Sequence, residues 1–479
     1  MHTARKSPAI GRALTRGASA GIAWLLASSV GAQVASGSGV NPRAQWTDPP
    51  ESFTSRVVAT GLEDPWEVAY GPDGFLWITE RVGKRVVRVD PTNGSRKVAV
   101  RIDEVYQTLA QDGLLGLVLH PQLLRGSDYV YVMYTYDGDP GPAEQRRAKI
   151  RRYAYDPASE QLHDPVDLLT DLPHGPDHGA SRIAFGPDGK LYASRGDHGS
   201  NFLAFYCEPI RAQELPTAAD IRARNWRGYE GKILRVNLDG SIPDDNPVLN
   251  GVRSHVFSYG HRNPQGMAFG PDGRLYESEH GQDTDDEVNR IDAGRNYGWP
   301  LIAGYQDDLY YTYANWSAST PTPCADLDYG RDPPSTVPRT KESDADLPDF
   351  APPLETFFTV PTGYDPRALG NATAALAGLE VYASPAIPGW NPSILVAGLA
   401  SGTIYRLPLE ASPDPPLTYF KSQDRYRDLA IAPDGRRIYA VTDVRGRTVS
   451  ATGEMTAALA RPGALLEFTY TGTPTNEPR

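Results

Sequence analysis

The sequence predicts an all-β protein, a six-bladed β-propeller with long loop insertions on one face. Three observations lead there. Composition is the first: 46 Gly, 43 Pro and 26 Tyr against 4 Met in 479 residues suit strands and turns better than a helical bundle. The second is a hairpin that recurs as VAYGPDGFLWITE (68–80), IAFGPDGKLYASR (183–195), MAFGPDGRLYESE (267–279) and LAIAPDGRRIYAV (429–441). The third is spacing, because the turn prolines at 72, 187, 271 and 433 are 115, 84 and 162 residues apart. Each interval lies near a multiple of about 40, the length of a four-stranded blade. Unrelated hairpins of a sandwich or barrel have no reason to share so similar a motif.

Residues 1–32 open the chain with Arg5, Lys6, Arg12 and Arg16, no acid, and then the uncharged run GASAGIAWLLASSVGA. That pattern is a secretory signal peptide, cleaved after Ala32 or close to Ala35. Its apolar run is short and rich in Ser and Gly, and no later run is long enough for a membrane span. The mature protein is therefore expected in the periplasm or secreted. Residues 33–54 read as a lead-in and 55–475 as the propeller domain. The formal charge of −12 becomes more negative once the leader is removed, and such a field repels phosphate backbones, so nucleic acid is excluded as a partner. Two cysteines, Cys207 and Cys324, leave a disulfide open in an exported chain without specifying one.

In each repeat, Pro fixes φ at the first turn position and Gly accepts the positive φ at its exit. Gly, Pro, Asp and Asn crowd the segments 137–150, 200–228 and 305–375, which read as insertions. Pairing each hairpin about its turn sets His178 opposite Asp197 and Asp177 opposite His198. It also sets Arg262 opposite Gly281, Asn263 opposite His280, Arg425 opposite Thr442 and Asp424 opposite Asp443. The ends away from the turns are thus dense in His, Arg, Asn and Asp. On equivalent blades those ends share one face, the expected working face.

A carboxylate beside an imidazole is the usual arrangement of a general base, although a lone histidine more often buttresses a loop. The strand RYR (425–427) puts two arginines on one side, either as a surface ion-pair site or as an inward cradle for carboxylates. HGQDTDDE (280–287), with Asp307, Asp308 and Glu342, reads as solvated loop or as hard oxygen ligands for Ca²⁺. No nucleophile elbow, phosphate loop, dinucleotide fingerprint or zinc spacing is present.

Five further segments carry a family resemblance: QDGLLGLVLHP (111–121), GKILRVNLDGSIPDDNP (231–247), YGHRNPQGMAF (259–269), EVNRIDAGRNYGWPLIAGYQDD (287–308) and FKSQDRYRDLAIAPDG (420–435). In this order they resemble the soluble quinoprotein glucose dehydrogenases within the wider glucose/sorbosone dehydrogenase family, from about Val57 to Tyr470. The resemblance implies a six-bladed propeller that binds pyrroloquinoline quinone (PQQ) and Ca²⁺ and oxidises aldose sugars to lactones, passing electrons to an external acceptor. It makes His178 the general base, Asp197 its orienting carboxylate and Arg262 the group that stabilises oxygen on the quinone. Gln111, Asp177 and Asn263 match positions lining cofactor and sugar, and Arg425 and Arg427 match those on the PQQ carboxylates. A catalytic Ca²⁺ falls to the carbonyls of Gly281 and Gln282. A structural one falls to Glu287, Tyr297, Ala303, Tyr305, Asp307 and Glu342. The resembled group often dimerises, so a homodimer is the expected assembly, although no stretch of sequence identifies an interface.

The chain departs from the pattern at Ala400, where the glucose dehydrogenases carry a lysine, and in PTGYDPRALGNATAALAG (361–378), which lacks their sugar-covering Trp. Gln282, His280 and Phe202 also replace a proline and two glutamines. Two other functions remain open at this level: a calcium-dependent propeller hydrolase or lactonase, and a non-catalytic binding propeller.

Overall fold

Apolar runs four to six residues long, broken every few residues by turns, fold into short strands, and four such strands make each blade. In the computed structural model the described residues are 49–108, 111–139, 141, 144–365, 373–409, 416–450 and 452–472. The expected leader (1–32) and most of the lead-in lie outside them. Six four-stranded antiparallel sheets follow one another along the chain. Blade 1 comprises Pro65–Tyr70, Leu76–Glu80, Arg85–Val89 and Arg96–Arg101, and blade 2 Leu114–Leu119, Tyr129–Asp137, Arg146–Asp156 and Gln161–Pro173. Blade 3 comprises Ile183–Phe185, Leu191–Arg195, Lys232–Val236 and Val256–Tyr259, and blade 4 Pro264–Phe269, Leu275–Glu279, Asp286–Ile291 and Glu355–Phe357. Blade 5 comprises Leu376–Tyr382, Ser393–Gly398, Thr403–Pro408 and Leu417–Tyr419. Blade 6 takes Tyr426–Ile431, Arg437–Thr442 and Leu465–Gly472 from the end of the chain and its outermost strand, Ser52–Ala59, from the beginning. That first strand starts three residues ahead of the expected domain boundary at 55.

The core is distributed over the six interfaces between neighbouring blades. Blades 1 and 2 share Trp77, Val86, Leu114 and Val132, and blades 5 and 6 share Tyr382, Trp390, Leu395 and Phe468. A strand sandwiched this way is covered on both faces, which is why Leu76–Glu80 and Leu191–Arg195 are buried throughout. Each buried Val or Leu side chain contributes about 1.5–3 kcal/mol.

The repeated motif has a local cause. In the first three copies the Asp of Pro-Asp-Gly accepts a hydrogen bond from the aromatic residue four positions on: Trp77 Nε1 to Asp73 (3.2 Å), Tyr192 Oη to Asp188 (3.1 Å) and Tyr276 Oη to Asp272 (3.0 Å). The turn glycines Gly74, Gly189, Gly273 and Gly435 all have positive φ.

The loops are one residue longer than a four-residue turn, with Gly186 N–H bonding Lys190 O (2.9 Å), and in blade 6 longer still, with Ala432 N–H bonding Arg437 O (2.9 Å). The expected pairings shift accordingly in blades 3 and 6, whereas in blade 4 a bulge restores the expected register at the mouth end, with Pro264 facing Glu279. Ile183 faces Ala193, and Asp443 N–H bonds Arg425 O (2.9 Å) where Thr442 was expected opposite Arg425. Asp424 does not meet Asp443; its carboxylate binds Arg461 instead (2.9 Å). Five of the six inner strands also carry a register break near the end away from the turn, at Pro65/Val68, Leu114/Leu117, Pro264/Gly266, Leu376/Leu379 and Tyr426/Asp428. Such bulges re-aim side chains, and those of blades 4 and 6 contain Gln265 and Arg427.

The segment 137–150 is less of an insertion than expected, because strands Tyr129–Asp137 and Arg146–Asp156 take its two ends and leave 138–145 as the loop of a hairpin. The other two expected insertions are present, at 196–231 within blade 3 and at 292–354 within blade 4. Cys207 and Cys324 form a disulfide that ties these two insertions together, beside Tyr206, Trp316 and Tyr329.

His255 makes the fold sensitive to acid. Its Nε2 hydrogen-bonds the Gly240 carbonyl (3.2 Å) and so carries the proton, while Nδ1 receives the Tyr229 hydroxyl (2.9 Å). Burial pushes its pKa down to about 4. The unfolded chain takes up this proton near pH 6.5 and the folded one only near 4, so stability present above pH 6.5 is lost as pH falls through that window. Between pH 7 and 4.5 this residue alone is expected to remove about 2–3 kcal/mol. Urea unfolding at the two pH values, compared with that of His255→Gln, will show a correspondingly smaller loss in the variant.

Candidate active site

The inner strands converge at their mouth ends, and there His178 sits in the loop before Ile183–Phe185. Its φ of 44° is left-handed, an unusual state for a non-glycine residue. The loop closes over Gly196, where any Cβ would lie 1.9 Å from the His178 carbonyl oxygen. His178 and Asp197 therefore meet through this close approach and not through ladder pairing. His178 Nδ1 bonds Asp197 Oδ1 at 2.6 Å. Two further donors fix the carboxylate: Gly199 N–H on Oδ1 (2.9 Å) and the indole of Trp299 on Oδ2 (2.8 Å). His178 is only 5% exposed, so it is more deeply set than an open loop residue. With Nδ1 committed, Nε2 is the nitrogen that can take a proton.

Asp177 does not pair with His198. Its Oδ1 accepts from the His178 N–H (2.9 Å) and from Gln111 Nε2 (2.6 Å), while the His198 ring stacks on His174. From Asp177 an arc of hydrogen bonds crosses the mouth. Gln265 Nε2 donates to Gln111 Oε1 (3.2 Å), and Arg427 Nη1 donates to Gln265 Oε1 (2.5 Å). Arg427 then grips Asp443 with Nε (2.8 Å) and Nη2 (2.9 Å), and Arg425 Nε joins the same carboxylate at 3.2 Å. The arginine pair thus faces inward and shares one acid. Burial works against the charge on Asp443, but Arg427 and Arg425 hold its pKa below the ordinary value.

Among the described residues Arg262 has no carboxylate within ion-pair distance. It donates to the His280 carbonyl (3.2 Å) and lies 5.3 Å from the Trp299 ring and 5.7 Å from that of Phe202, which itself stacks on His178. Its own carbonyl accepts from Asp197 N–H (2.8 Å), so blades 3 and 4 join at this point. Glu279 Oε2 secures the backbone N–H groups of Arg262 (2.7 Å) and Asn263 (3.1 Å). Several buried polar atoms here lack protein partners: Arg262 Nε, both amide atoms of Asn263, and His280 Nε2. Burial, reinforced by Arg262 and Arg427, pushes the His280 pKa well down and keeps the ring neutral. Unmet donors and acceptors on buried side chains call for a polar ligand at this mouth.

Of the residues expected at calcium, Gly281 lies in a tight loop where a Cβ would strike the carbonyl oxygens of Thr284 and Asp285, and Gln282 follows it. The carboxylates of Glu287 and Glu342 are drawn to adjacent backbone, at Gly304 N–H (2.6 Å) and Ala303 N–H (3.0 Å), and Glu342 also receives Asp308 N–H (3.0 Å) and Asp307 N–H (3.4 Å). Neither has a basic side chain as partner among the described residues. Burial raises the Glu342 pKa to about 7, and burial beside Glu279 raises that of Glu287. The Tyr297 hydroxyl is on Arg290 O (2.6 Å) and that of Tyr305 reaches Leu354 O (3.4 Å), so either residue would serve a cation through its backbone oxygen. Buried carboxylates and a carbonyl-lined loop are the donor chemistry of a hard cation. Ala400 is buried and adds no charge, and residues 366–372 of the departing loop lie outside the described ones.

Sequence reasoning missed Trp299 and Gln265, placed Asp443 at the mouth without seeing that it binds both arginines, and passed Phe202 over as a departure only. Trp299 lies in the quoted Tyr-Gly-Trp-Pro stretch, whereas Gln265 reaches the mouth through a bulge that has no sequence signal.

A six-bladed propeller with a carboxylate-oriented histidine and inward arginines at its mouth defines a class of enzyme, and comparison places the chain within it. The family described as Glucose / Sorbosone dehydrogenase matches residues 62–323 and 355–450. The chain belongs to the glucose/sorbosone dehydrogenase family, a family of oxidoreductases. It is 40% identical over 438 residues to quinoprotein glucose dehydrogenase B of Acinetobacter calcoaceticus, covering 88% of this chain and 91% of that one. The PQQ-bound aldose sugar dehydrogenase of Streptomyces coelicolor superposes with a TM-score of 0.60 at 28% identity, over 88% of this chain and all of that one. The apo-form of the soluble aldose sugar dehydrogenase of Escherichia coli, 23% identical, shares the fold with a TM-score of 0.61.

Proposed function

We propose that the protein oxidises aldose sugars at the anomeric carbon to lactones, using PQQ and Ca²⁺. The convergence of the oriented His178, of Arg262 with no ion pair among the described residues, and of the unpartnered Asn263 and His280 in one mouth carries this reading. Arg425, Arg427, Gln111 and Asn263 would hold PQQ, and the carbonyls of Gly281 and Gln282 the catalytic calcium. Glu287, Ala303, Asp307 and Glu342, with Tyr297 and Tyr305, would hold the structural calcium. When bound, PQQ accepts a hydride and calcium polarises it as a Lewis acid.

The chain's own residues do the rest. His178 Nε2 takes the proton of the anomeric hydroxyl as the hydride leaves that carbon. Asp197, held by three donors, keeps the ring in the required tautomer and stabilises its charged form. Arg262 stabilises negative charge developing on oxygen, and the Trp299 and Phe202 rings beside it exclude water and so strengthen that effect. Asp177 and Gln111, bonded to each other beside His178, supply groups for sugar hydroxyls. Electrons leave to an external acceptor, outside the cytoplasm once the leader is removed.

The test is reconstitution. Purified protein freed of ligands is given PQQ and Ca²⁺ and its dye reduction followed with glucose and other aldoses. Activity that needs both additions is expected. No dye reduction, together with an unchanged PQQ absorption spectrum, would sink the reading, and calcium-dependent lactone hydrolysis in its place would point to a hydrolase.

A further inference from the structure

The flank of blades 2 and 3 holds a second polar site that shares no residue with the mouth. A cavity of about 510 Å³ there is lined by four arginines, Arg147, Arg211, Arg224 and Arg227, against two acids, Asp171 and Glu230. In a chain with 59 acidic and 47 basic residues, an arginine readily finds a carboxylate. Arg211 does so twice, reaching Glu230 at 3.4 Å and Glu214 at 3.8 Å, yet its Nε is buried without a hydrogen bond. Arg147, Arg224 and Arg227 have no carboxylate within 4.0 Å among the described residues. Asp171 is held by neutral hydroxyls, those of Tyr136 (2.8 Å) and Thr170 (2.7 Å). Three of the four guanidinium groups at the cavity thus lack an ion pair, and the acids nearest them, Asp171 and Asp220, act on them only at longer range.

The cationic wall is also built, not loose. The helix Ala218–Ala223 starts at a capping box between Thr217 and Asp220 and ends at Arg224, whose φ is +53°. That left-handed backbone sets where the side chain of Arg224 begins. Asn225 is fixed to Asp220 (2.7 Å), and the Trp226 indole is anchored on the Thr170 carbonyl (3.0 Å) under the site.

We propose that this cavity binds a small organic dianion through its oxyanion groups. Guanidinium forks match carboxylate and phosphate oxygens alike, and a ligand with two anionic ends engages guanidinium groups on both walls where a monoanion engages those of one. The site faces the catalytic side from behind: Glu230 lies 3.8 Å from His198, whose ring stacks on His174.

Isothermal titration of the full protein at pH 7.5 and low salt, with succinate, inorganic phosphate and gluconate as probes, tests this. One equivalent of succinate, of phosphate or of both is expected to bind, with gluconate, a monoanion, at least tenfold weaker. Arg224→Gln/Arg227→Gln should weaken the dianion at least tenfold; both side chains are exposed, and an unchanged melting temperature will show the fold intact. Arg147→Gln provides the same test from the opposite wall. Absence of binding by both dianions, gluconate binding as tightly as they do, or unchanged affinity in these variants overturns the proposal.

Discussion

His178→Asn is expected to reduce sugar turnover about 10²–10⁴-fold, the range that a positioned general base supplies, while leaving the protein folded. Asparagine tolerates the left-handed backbone that position 178 adopts. Asp197 keeps two donors after the imidazole is gone, from Gly199 and Trp299, so no buried carboxylate is stranded. The lost hydrogen bond to an ionised group is worth about 1.5–3 kcal/mol at most. Steady-state dye reduction and a thermal melt of the same sample are the measurements. Near-normal turnover would remove His178 from the role of base, and an unfolded variant would make it a structural residue.

The second large effect separates two arginines at one mouth. Arg262→Met is expected to lower turnover about 10²–10³-fold, as the loss of a donor at developing charge does, with stability unchanged or raised. Its guanidinium has aromatic rings and a carbonyl beside it, and the acid that feels its charge, Asp283, keeps Arg331 as an ion-pair partner. Arg427→Met, by contrast, strips two hydrogen bonds from the buried Asp443 and is expected to destabilise the fold by about 3 kcal/mol, in the range for breaking a buried pair. The deficit should shrink as pH falls toward 4, because protonation relieves the stranded carboxylate. Urea melts at pH 7 and 4.5 check this. Equal stability of the two variants would mean that Asp443 is held by Arg425 alone.

Much of this architecture was legible in the letters. The Pro-Asp-Gly hairpins announced the blades because one aspartate both shapes the turn and captures an aromatic hydroxyl or indole, a local chemistry that survives the rest of the sequence changing. The mouth was legible too, since polar residues clustered at one end of three of the four repeated hairpins. What escaped was whatever depends on register or on distant chain. The extra loop residue Lys190 moved the ladder of blade 3 by one place, and a bulge turned Gln265 into the channel. Trp299 reaches Asp197 across 102 residues, a separation at which no spacing rule operates.

The sixth blade is assembled from both ends of the chain: Ser52–Ala59 pairs with Leu465–Gly472, and Arg56 binds Glu467 across 411 residues. A nascent chain leaving the ribosome consequently stays an unclosed hoop until its final strand emerges, with the outer edge of that blade unformed. Clipping fewer than ten residues from the carboxyl terminus of the hoop should loosen the whole circle. A circular permutant that joins the old ends and opens a loop between two other blades should keep it shut.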